Sequence, residues 1–385
     1  MRRALIAGGG TVGHLNPGIA IARALAARGW PLEGLHFVGA ERGVEASRVP
    51  AAGFTVTLLP GRGIQRRLTP ANLGAVWGLL RACGRAAALL RRLRPAVVVS
   101  TGGYASVPCA LAAVLARTPV VVAEQNAAPG AANRLVGRFA KACAVSFPGV
   151  GLPRAVLTGN PVGREVLAVD RVGGRAAARA RLGIPAEAQL VVAFGGSLGA
   201  RRINEAVLGV AEAWRDQPGR ALRHAIGERD WAGYEARARA AAGGRLCYQA
   251  LRYEEEMPLA LAAADVIVAR AGATTVAELT AVGAPALLVP LPGAPSDHQT
   301  ANARALVEAG AAVLVPDAEL SAERLAAELD ALLGDPDRLA RMGKAAAAAG
   351  RRDAAERVAD LVERWARPAA GPSSTRPPGP PREAP

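Results

Sequence analysis

Residues 4–14 read Ala4-Leu5-Ile6-Ala7-Gly8-Gly9-Gly10-Thr11-Val12-Gly13-His14, a short apolar run followed at once by a glycine cluster. Such a run predicts a buried strand, and the glycines predict a tight turn into a helix that starts around Pro17. The pattern restarts in the second half, where Val191-Val192-Ala193-Phe194 precede Gly195-Gly196-Ser197 and a further helix. The restart predicts two similar domains, each opening with a strand, a glycine turn and a helix.

Short runs rich in Val and Ile alternate with longer segments rich in Ala, Leu and Arg along almost the whole chain. Because these runs show no apolar–polar alternation, they predict parallel strands that helices cover on both faces. The predicted strands are 4–7, 35–38, 96–100, 120–123 and 142–147, then 190–194, 223–226, 264–269, 286–290 and 312–315. The predicted fold class is therefore α/β, with two Rossmann-like, doubly wound parallel-sheet domains and a ligand cleft between them.

The domain boundary is predicted near Gly159-Asn160-Pro161, where a strand-like run gives way to a polar segment. We expect an N-terminal domain over residues 1–160 and a C-terminal domain over 161–366, whose last helix covers about 351–365. Residues 367–385 are rich in Pro, Gly, Ser and Arg, a composition that buries too little apolar surface to fold. We therefore predict a disordered tail with no assigned function.

The charge balance of the 385 residues, 47 Lys and Arg against 32 Asp and Glu, predicts anionic partners such as phosphates or a charged lipid surface. A compositional bias toward arginine would give the same balance. Nucleic-acid binding is disfavoured, because aromatic residues that could stack on bases make up only 4% of the chain. A Rossmann oxidoreductase is also disfavoured, because the second predicted strand lacks the expected acidic residue.

The four cysteines form no CxxC pair, which favours a reducing compartment. The apolar run at residues 4–7 is too short for a signal peptide, and no stretch approaches the roughly 20 apolar residues of a membrane span. We therefore predict a cytoplasmic protein whose contact with a membrane is peripheral.

Polar motifs follow the predicted strands at their carboxyl ends. In the first loop, glycine backbone N–H groups could approach an anion, and His14 could relay a proton, although a lone histidine also serves as a cap or packing residue. Ser197 could donate to a phosphate, or the second glycine cluster could simply form a tight turn. Gly102 to Pro108 and Glu124-Gln125-Asn126 occupy equivalent positions after two further strands.

The segment Ala273-Thr274-Thr275 opens a helix just after a buried strand, where free N–H groups would meet a diphosphate. Glu278 lies one turn deeper and could accept both hydroxyls of a ribose; the alternative is a capping box with Thr275. Further on, His298 and Gln299 stand where the hydroxyls of a sugar would need partners, although a polar helix start explains them as well. Asp335-Pro336-Asp337 reads as a helix cap.

Seven strings occur in one order: Gly-Gly-Thr-x-Gly-His, Gly-Gly-Tyr-x-Ser-x-Pro, Glu-Gln-Asn, Gly-Asn-Pro-Val-x-Arg, Gly-Gly-Ser-x-Gly-Ala, Arg-x-Gly-Ala-x-Thr-x-x-Glu and His-Gln-x-x-Asn-Ala. Over residues 3 to 365 the chain thereby resembles the MurG family of peptidoglycan N-acetylglucosaminyltransferases, of the GT-B superfamily. Val12 stands where that family usually has a second glycine.

The resemblance implies inverting transfer of GlcNAc from UDP-GlcNAc to the C4 hydroxyl of the muramoyl sugar in lipid I, with no metal and no cofactor. On the donor side, it assigns the ribose to Glu278 and the GlcNAc hydroxyls to His298 and Gln299. It assigns the diphosphate to the following residues: Ala273, Thr274, Thr275, Ser197 and Arg164.

In the N-terminal domain, the resemblance implies that four residues close over the donor sugar and present the acceptor: Thr11, Gly13, His14 and Asn126. Val12, within the same loop, is also assigned to substrate binding. His14 is the predicted base or proton relay, with Glu124 as its competitor. The acceptor side is assigned to Gly103, Tyr104 and Ser106. Another GT-B transferase, acting on a glycolipid or a small aglycone, is the alternative.

A lipid-linked acceptor also implies contact with a membrane. Residues 61–68 combine glycines with Arg62, Arg66 and Arg67, and they precede a helix that carries Trp77 and Leu80. Adjacent basic and apolar residues suit an anionic bilayer surface. The alternative is an ordinary core-facing helix after a solvated loop.

Overall fold

The computed structural model describes residues 2–41, 43–60, 71–196 and 199–368, and of residues 71–76 only the backbone. The strands are Ala4–Gly8 (β1), Leu35–Ala40 (β2), Thr55–Leu59 (β3), Val97–Gly102 (β4), Val120–Glu124 (β5), Ala142–Val145 (β6), Ala155–Leu157 (β7), Gln189–Phe194 (β8), Arg220–Ala225 (β9), Cys247–Leu251 (β10), Val266–Ala269 (β11), Ala286–Leu288 (β12) and Ala312–Leu314 (β13).

The helices of the first half are Val12–Ala27 (α1), Glu45–Ala51 (α2), Ala71–Leu93 (α3), Ser106–Leu115 (α4), Ala131–Gly137 (α5), Arg164–Leu167 (α6) and Arg175–Leu182 (α7). Those of the second half are Arg201–Ala213 (α8), Trp231–Ala241 (α9), Met257–Ala263 (α10), Ala273–Val282 (α11), His298–Glu308 (α12), Ala322–Leu333 (α13), Pro336–Ala349 (α14) and Ala354–Trp365 (α15).

The strands form two wholly parallel sheets, in the orders β3-β2-β1-β4-β5-β6-β7 and β10-β9-β8-β11-β12-β13. Apolar clusters cover both faces of each sheet, which explains the uninterrupted apolar runs in the sequence. The predicted α/β class, with two doubly wound domains, is confirmed.

The sequence analysis did not predict two of the strands, β3 and β10. Both are edge strands, and several of their side chains are half-exposed. Their sequences, Thr-Val-Thr-Leu-Leu and Cys-Tyr-Gln-Ala-Leu, therefore mix polar with apolar residues and lack the continuous apolar run of a central strand.

The first and the last helix are placed differently from our predictions. The first helix begins at Val12 rather than near Pro17, which lies inside it and gives up only one backbone hydrogen bond. The last helix, α15, was placed in the C-terminal domain, but it packs on the N-terminal one. Its residues Val358 and Val362 are fully buried in the core formed with α1 and the first sheet, because its apolar face is covered only there.

Polar contacts fasten α15 to the N-terminal domain. Arg28 pairs with Asp360 at 2.5 Å and with Glu363 at 3.0 Å, and the indole nitrogen of Trp30 donates to Glu363 at 3.0 Å. The chain therefore crosses between the domains twice, once near Asn160 and once before α15.

Some predicted features lie outside the described residues: Ser197, the basic loop 61–68 and the tail from residue 369 onward. Within the described ranges, no helix is both long enough and apolar enough to cross a membrane. The predicted cap at Asp335 is confirmed, since its carboxylate accepts from the backbone nitrogen of Arg338 at 2.8 Å.

Candidate active site

The start of α11 has the features of an anion site. The helix follows β11 directly, its cap residue is Gly272, and no side chain caps it. Its first N–H groups therefore have no acceptor within the helix and carry the positive end of the helix dipole. The hydroxyl of Thr274 is buried and makes no hydrogen bond with the described residues. The capping box between Thr275 and Glu278 is not formed.

Glu278 lies one turn along α11 and lines a cavity of about 240 Å³ together with Thr274 and Arg164. Burial raises the pKa of its carboxyl group to about 7. Within the described part of the chain, neither Glu278 nor Arg164 forms an ion pair. The cavity thus combines a carboxylate and a guanidinium that are both available to a ligand.

His298 and Gln299 form the first turn of α12, after β12. The carbonyl oxygen of Gln299 accepts from the backbone nitrogen of Leu291 at 2.9 Å, so its NH₂ group remains available as a donor. One ring nitrogen of His298 is held by the carbonyl of Pro295 at 2.7 Å. Gln299 is therefore the better placed of the two to read a hydroxyl.

The two domains meet across the cleft at elements that follow strand ends in both sheets. Gly13, in the first turn of α1, faces Thr274: a Cβ atom placed on Gly13 would lie 3.9 Å from the Thr274 hydroxyl. The amide nitrogen of Asn160 donates to the carbonyl of Ala273 at 3.1 Å. The start of α1 and the start of α11, which the motifs predicted as parts of one site, thus lie against each other.

Asn302, on α12, joins the domains through a fully buried side chain. Its oxygen accepts from the backbone nitrogen of Ala127 at 2.8 Å, and its nitrogen donates to Asn126 at 3.2 Å and to Ala271 at 3.1 Å. Asn126, predicted to contact the donor sugar, is therefore tied to the second domain. The sequence analysis did not single out Asn302, although it lies in the His-Gln-x-x-Asn-Ala string.

His14 is half-buried at the mouth of the cleft, and its Nδ1 atom lies 3.1 Å from the side-chain oxygen of Gln125. The nitrogen of that same amide donates to the carbonyl of Ala123 at 2.8 Å. Gln125, which had no assigned role in the sequence analysis, is thus the group that orients the imidazole.

Glu124 is not placed to act as a base, which corrects our prediction. It is buried, and one carboxylate oxygen accepts from the backbone and side-chain nitrogens of Asn126 at 2.9 and 3.1 Å. The other accepts from Gly130 and Asn133, each at 3.0 Å. With four donors on its two oxygens, Glu124 shapes the loop after β5 instead of taking a proton from a substrate.

The three residues predicted for the acceptor side all make close contacts within the protein. Ser106 is fully buried, and its hydroxyl contacts the carbonyls of Ala7 and Gly102 at 2.9 and 2.8 Å, so it cannot reach an acceptor. Tyr104 is half-buried and donates to the carbonyl of Pro60 at 3.0 Å. Gly103 packs so closely on Gly9 that any side chain would overlap it.

The first glycine loop does not offer the free anion site that its sequence suggests. The backbone nitrogen of Gly9 donates to the carbonyl of Gly102 at 3.1 Å, and that of Gly10 donates to the carboxylate of Glu45. Thr11 is the N-cap residue of α1, and Val12 and Gly13 open the helix, whose start has no side-chain cap.

Comparison with known proteins agrees with this architecture. Residues 4–145 match the glycosyltransferase family 28 N-terminal domain, and residues 190–358 match the glycosyltransferase family 28 C-terminal domain. A protein of Desulforudis audaxviator, named UDP-N-acetylglucosamine--N-acetylmuramyl-(pentapeptide) pyrophosphoryl-undecaprenol N-acetylglucosamine transferase, is 42% identical over 94% of this chain and 98% of its own. A protein of the same name from Alkalilimnicola ehrlichii is 44% identical, over 94% and 99%.

Two solved structures share the fold of this chain. The crystal structure of Acinetobacter baumannii MurG matches with a TM-score of 0.75 and 27% identity, covering 94% of this chain and 100% of that one. A UDP-GlcNAc 2-epimerase from Neisseria meningitidis, bound to UDP-GlcNAc, matches with a TM-score of 0.67 over 94% and 100% of the two chains. At 12% identity, this second likeness shows the fold alone.

Facing Rossmann-like domains, with an uncapped helix start and a carboxylate in the cleft, form the GT-B architecture, and the matched domain models make this chain a glycosyltransferase of that class. The residues matched and the identity to whole-length relatives then fix the family. The chain belongs to glycosyltransferase family 28 and, within it, to the MurG N-acetylglucosaminyltransferases.

Proposed function

We propose that the chain transfers GlcNAc from UDP-GlcNAc to the C4 hydroxyl of the muramoyl sugar in lipid I, with inversion and without a metal ion. The observation that carries this proposal is the approach of Gly13 to Thr274, because it sets His14 and the start of α11 on opposite sides of one cleft. An inverting displacement needs its base and its leaving-group stabiliser on opposite sides of the reacting carbon.

On the donor side, the carboxylate of Glu278 accepts the ribose hydroxyls, and the N–H groups of Ala273, Thr274 and Thr275 bind the diphosphate. As the glycosidic bond breaks, the departing UDP gains negative charge. The dipole of α11 and the guanidinium of Arg164 stabilise that charge, the task that a divalent cation performs in other transferases. Gln299 donates to a hydroxyl of GlcNAc.

On the acceptor side, His14 takes the proton of the attacking C4 hydroxyl through its Nε2 atom, because Nδ1 is held by Gln125. The loop 125–127 closes on the sugar and is held in place by Glu124 from below and by Asn302 from the other domain. The reaction leaves a β-linked disaccharide on the lipid diphosphate, which is lipid II.

The lipid of the acceptor calls for contact with the cytoplasmic face of the membrane, and an exposed apolar surface supports it. On α3, Trp77 and Leu80 are 64% and 59% exposed. Arg81 and Arg85 are exposed on α3 beside them. Apolar side chains flanked by cations suit an anionic bilayer surface.

The test of the transfer reaction is incubation of the protein with labelled UDP-GlcNAc and a short-chain lipid I analogue. We expect a β-1,4-linked disaccharide product, unchanged turnover in the presence of EDTA, and little product from UDP-GalNAc. Loss of turnover on chelation, restored by Mg²⁺, would contradict the metal-independent mechanism. Transfer to other glycolipids but not to lipid I would favour a different acceptor.

A further inference from the structure

Glu45, the first residue of α2, is a buried carboxylate surrounded by glycines from three segments. It is 1% exposed, and Gly9, Gly39 and Gly43 all lie against it. A Cβ atom placed on Gly39 would lie 2.7 Å from the Cβ and Cγ of Glu45, and one on Gly9 or Gly43 would overlap the carboxylate. The backbone of all three segments is therefore shaped around this one side chain.

The carboxylate holds the first glycine loop through a backbone hydrogen bond. The N–H group of Gly10 donates to Oε1 of Glu45, and the N–H group of the preceding Gly9 donates to the carbonyl of Gly102. In a phosphate-binding loop, such N–H groups point at the ligand. Here the protein's own carboxylate takes the place of that anion.

The loop leads directly to the proposed base. Thr11 precedes α1, and His14 lies in its first turn, four residues after Gly10. The imidazole packs over Gly102, where an added Cβ atom would lie 3.2 Å from Nδ1. Displacement of the loop would therefore move His14 relative to Gln125 and the cleft.

We propose that Glu45 is a positioning residue: it serves as a built-in anion that fixes the first glycine loop and, through it, the imidazole of His14. This inference rests on the proposed role of His14 as the base. It also implies that the donor diphosphate binds at the start of α11 beside Arg164 and not at the first glycine loop, because the N–H group of Gly10 already donates to Glu45.

Three variants test the role in turnover: Glu45→Ala, Glu45→Gln and, as a control, Glu41→Gln. Glu41 is a neighbouring carboxylate that is 50% exposed and pairs with Arg85 on the surface. We expect Glu45→Ala to lower kcat about 10- to 100-fold, because a misplaced base loses that much, while the KM for UDP-GlcNAc changes less than about twofold. Glu45→Gln keeps the shape of the side chain and an oxygen that can accept from Gly10, so its kcat should fall less.

A double-mutant cycle tests the geometry without reference to activity. Gly43→Ala should lower the melting temperature of the wild type, because its methyl group overlaps the carboxylate. In a Glu45→Ala background, Gly43→Ala should lower the melting temperature much less. Additive losses of melting temperature in the double variant would contradict the packing on which the proposal rests. The cycle can be measured on folded protein even if Glu45→Ala is itself less stable.

Comparison with His14→Ala separates this proposal from the proposed function. If His14→Ala is inactive and Glu45→Ala turns over normally, the positioning role is wrong and the base assignment stands. If His14→Ala turns over normally, the base assignment fails, and any loss in Glu45→Ala then has another cause. A parallel rise in donor KM in Glu45→Ala would also overturn the proposal, because the donor site lies in the other domain.

Discussion

The side-chain oxygen of Gln125 lies 3.1 Å from Nδ1 of His14 and fixes which tautomer of the imidazole is present. Because the amide nitrogen of Gln125 donates to Ala123, its oxygen must face the ring, and an amide oxygen can only accept. Nδ1 therefore carries the proton, and the lone pair of Nε2 is left for the substrate. A neutral amide here performs the orienting task that a carboxylate performs in a catalytic triad.

Substitution of Gln125 by Leu should lower kcat about 10- to 100-fold, because the imidazole loses the acceptor that selects its tautomer. The KM for UDP-GlcNAc should stay within about twofold, since the donor site lies in the other domain. Steady-state kinetics check this. Gln189→Leu is the matched control, because Gln189 bonds the carbonyl of Leu333 at 2.8 Å, away from the cleft. Equal effects in both variants would contradict the prediction.

Glu124→Gln should act mainly on stability. The amide would place an NH₂ group opposite N–H groups that now donate to the carboxylate. Buried N–H groups would then have no acceptor, at a cost of about 1–3 kcal/mol each. We expect a lower melting temperature and reduced kcat, with the pH dependence of kcat/KM retained. A variant with wild-type stability whose pH–rate profile had lost its acidic limb would instead identify Glu124 as the base.

Donor binding should depend on pH through Glu278, whose pKa burial raises to about 7. Only the ionised carboxylate can accept both ribose hydroxyls, so the KM for UDP-GlcNAc should rise as the pH falls from 8 to 6. Glu278→Gln should have a high KM that no longer changes over this range. Kinetics at pH 6, 7 and 8 test this, and the same pH slope in the variant would contradict it.

Glu278→Gln should weaken donor binding at high pH but should stabilise the fold there. The raised pKa means that the folded protein favours the neutral carboxyl group. The stability that this preference contributes is fully present below the pKa of Glu278 in the unfolded chain and is lost as the pH rises through 7. Glu278→Gln should therefore match the wild type near pH 4 and exceed its stability by about 3 kcal/mol at pH 8, since the pKa rises from 4.5 to about 7 and each pKa unit is worth about 1.36 kcal/mol. Denaturant titrations at the two pH values test this.

Asn302→Ala should loosen the relative position of the two domains, because it removes the hydrogen bonds to Asn126 and Ala127. The N–H group of Ala127 would then be left without an acceptor. We expect kcat/KM to fall about tenfold or more, with both kcat and the donor KM affected. A fluorophore pair, one in each domain, should also report a broader interdomain distance. Normal kinetics with an unchanged distance distribution would show that the contact is dispensable.

Substitution of Trp77 and Leu80 by Ser should weaken binding to vesicles that contain anionic lipid, since both side chains are exposed and apolar. Activity on a short-chain, water-soluble acceptor should be unchanged. Salt should weaken binding of the wild type, because the flanking arginines contribute charge attraction. Val172→Ser, at another exposed apolar position, is the control. Binding that neither salt nor the double variant affects would refute this surface.

The sequence by itself determined the architecture and the order of the motifs. Unbroken apolar runs report burial on both faces, so they predicted the central parallel strands, and polar residues at strand ends predicted one functional edge. The start of α11 and the position of Glu278 one turn deeper followed from local spacing, because a helix places residues three and four apart on one face. Whether Glu278 formed a capping box with Thr275 did not follow from that spacing.

Only the tertiary structure decided which polar groups were already satisfied. Glu124 resembled a base and Ser106 an acceptor ligand until the structure showed their hydrogen bonds. Nothing in the local pattern marks Glu45 as the partner of Gly10, or Asn302 as the partner of Ala127, 175 residues away. Periodicity records whether a residue is buried, but a hydrogen bond depends on which distant group folding brings within reach. The packing of α15 on the N-terminal domain was settled in the same way.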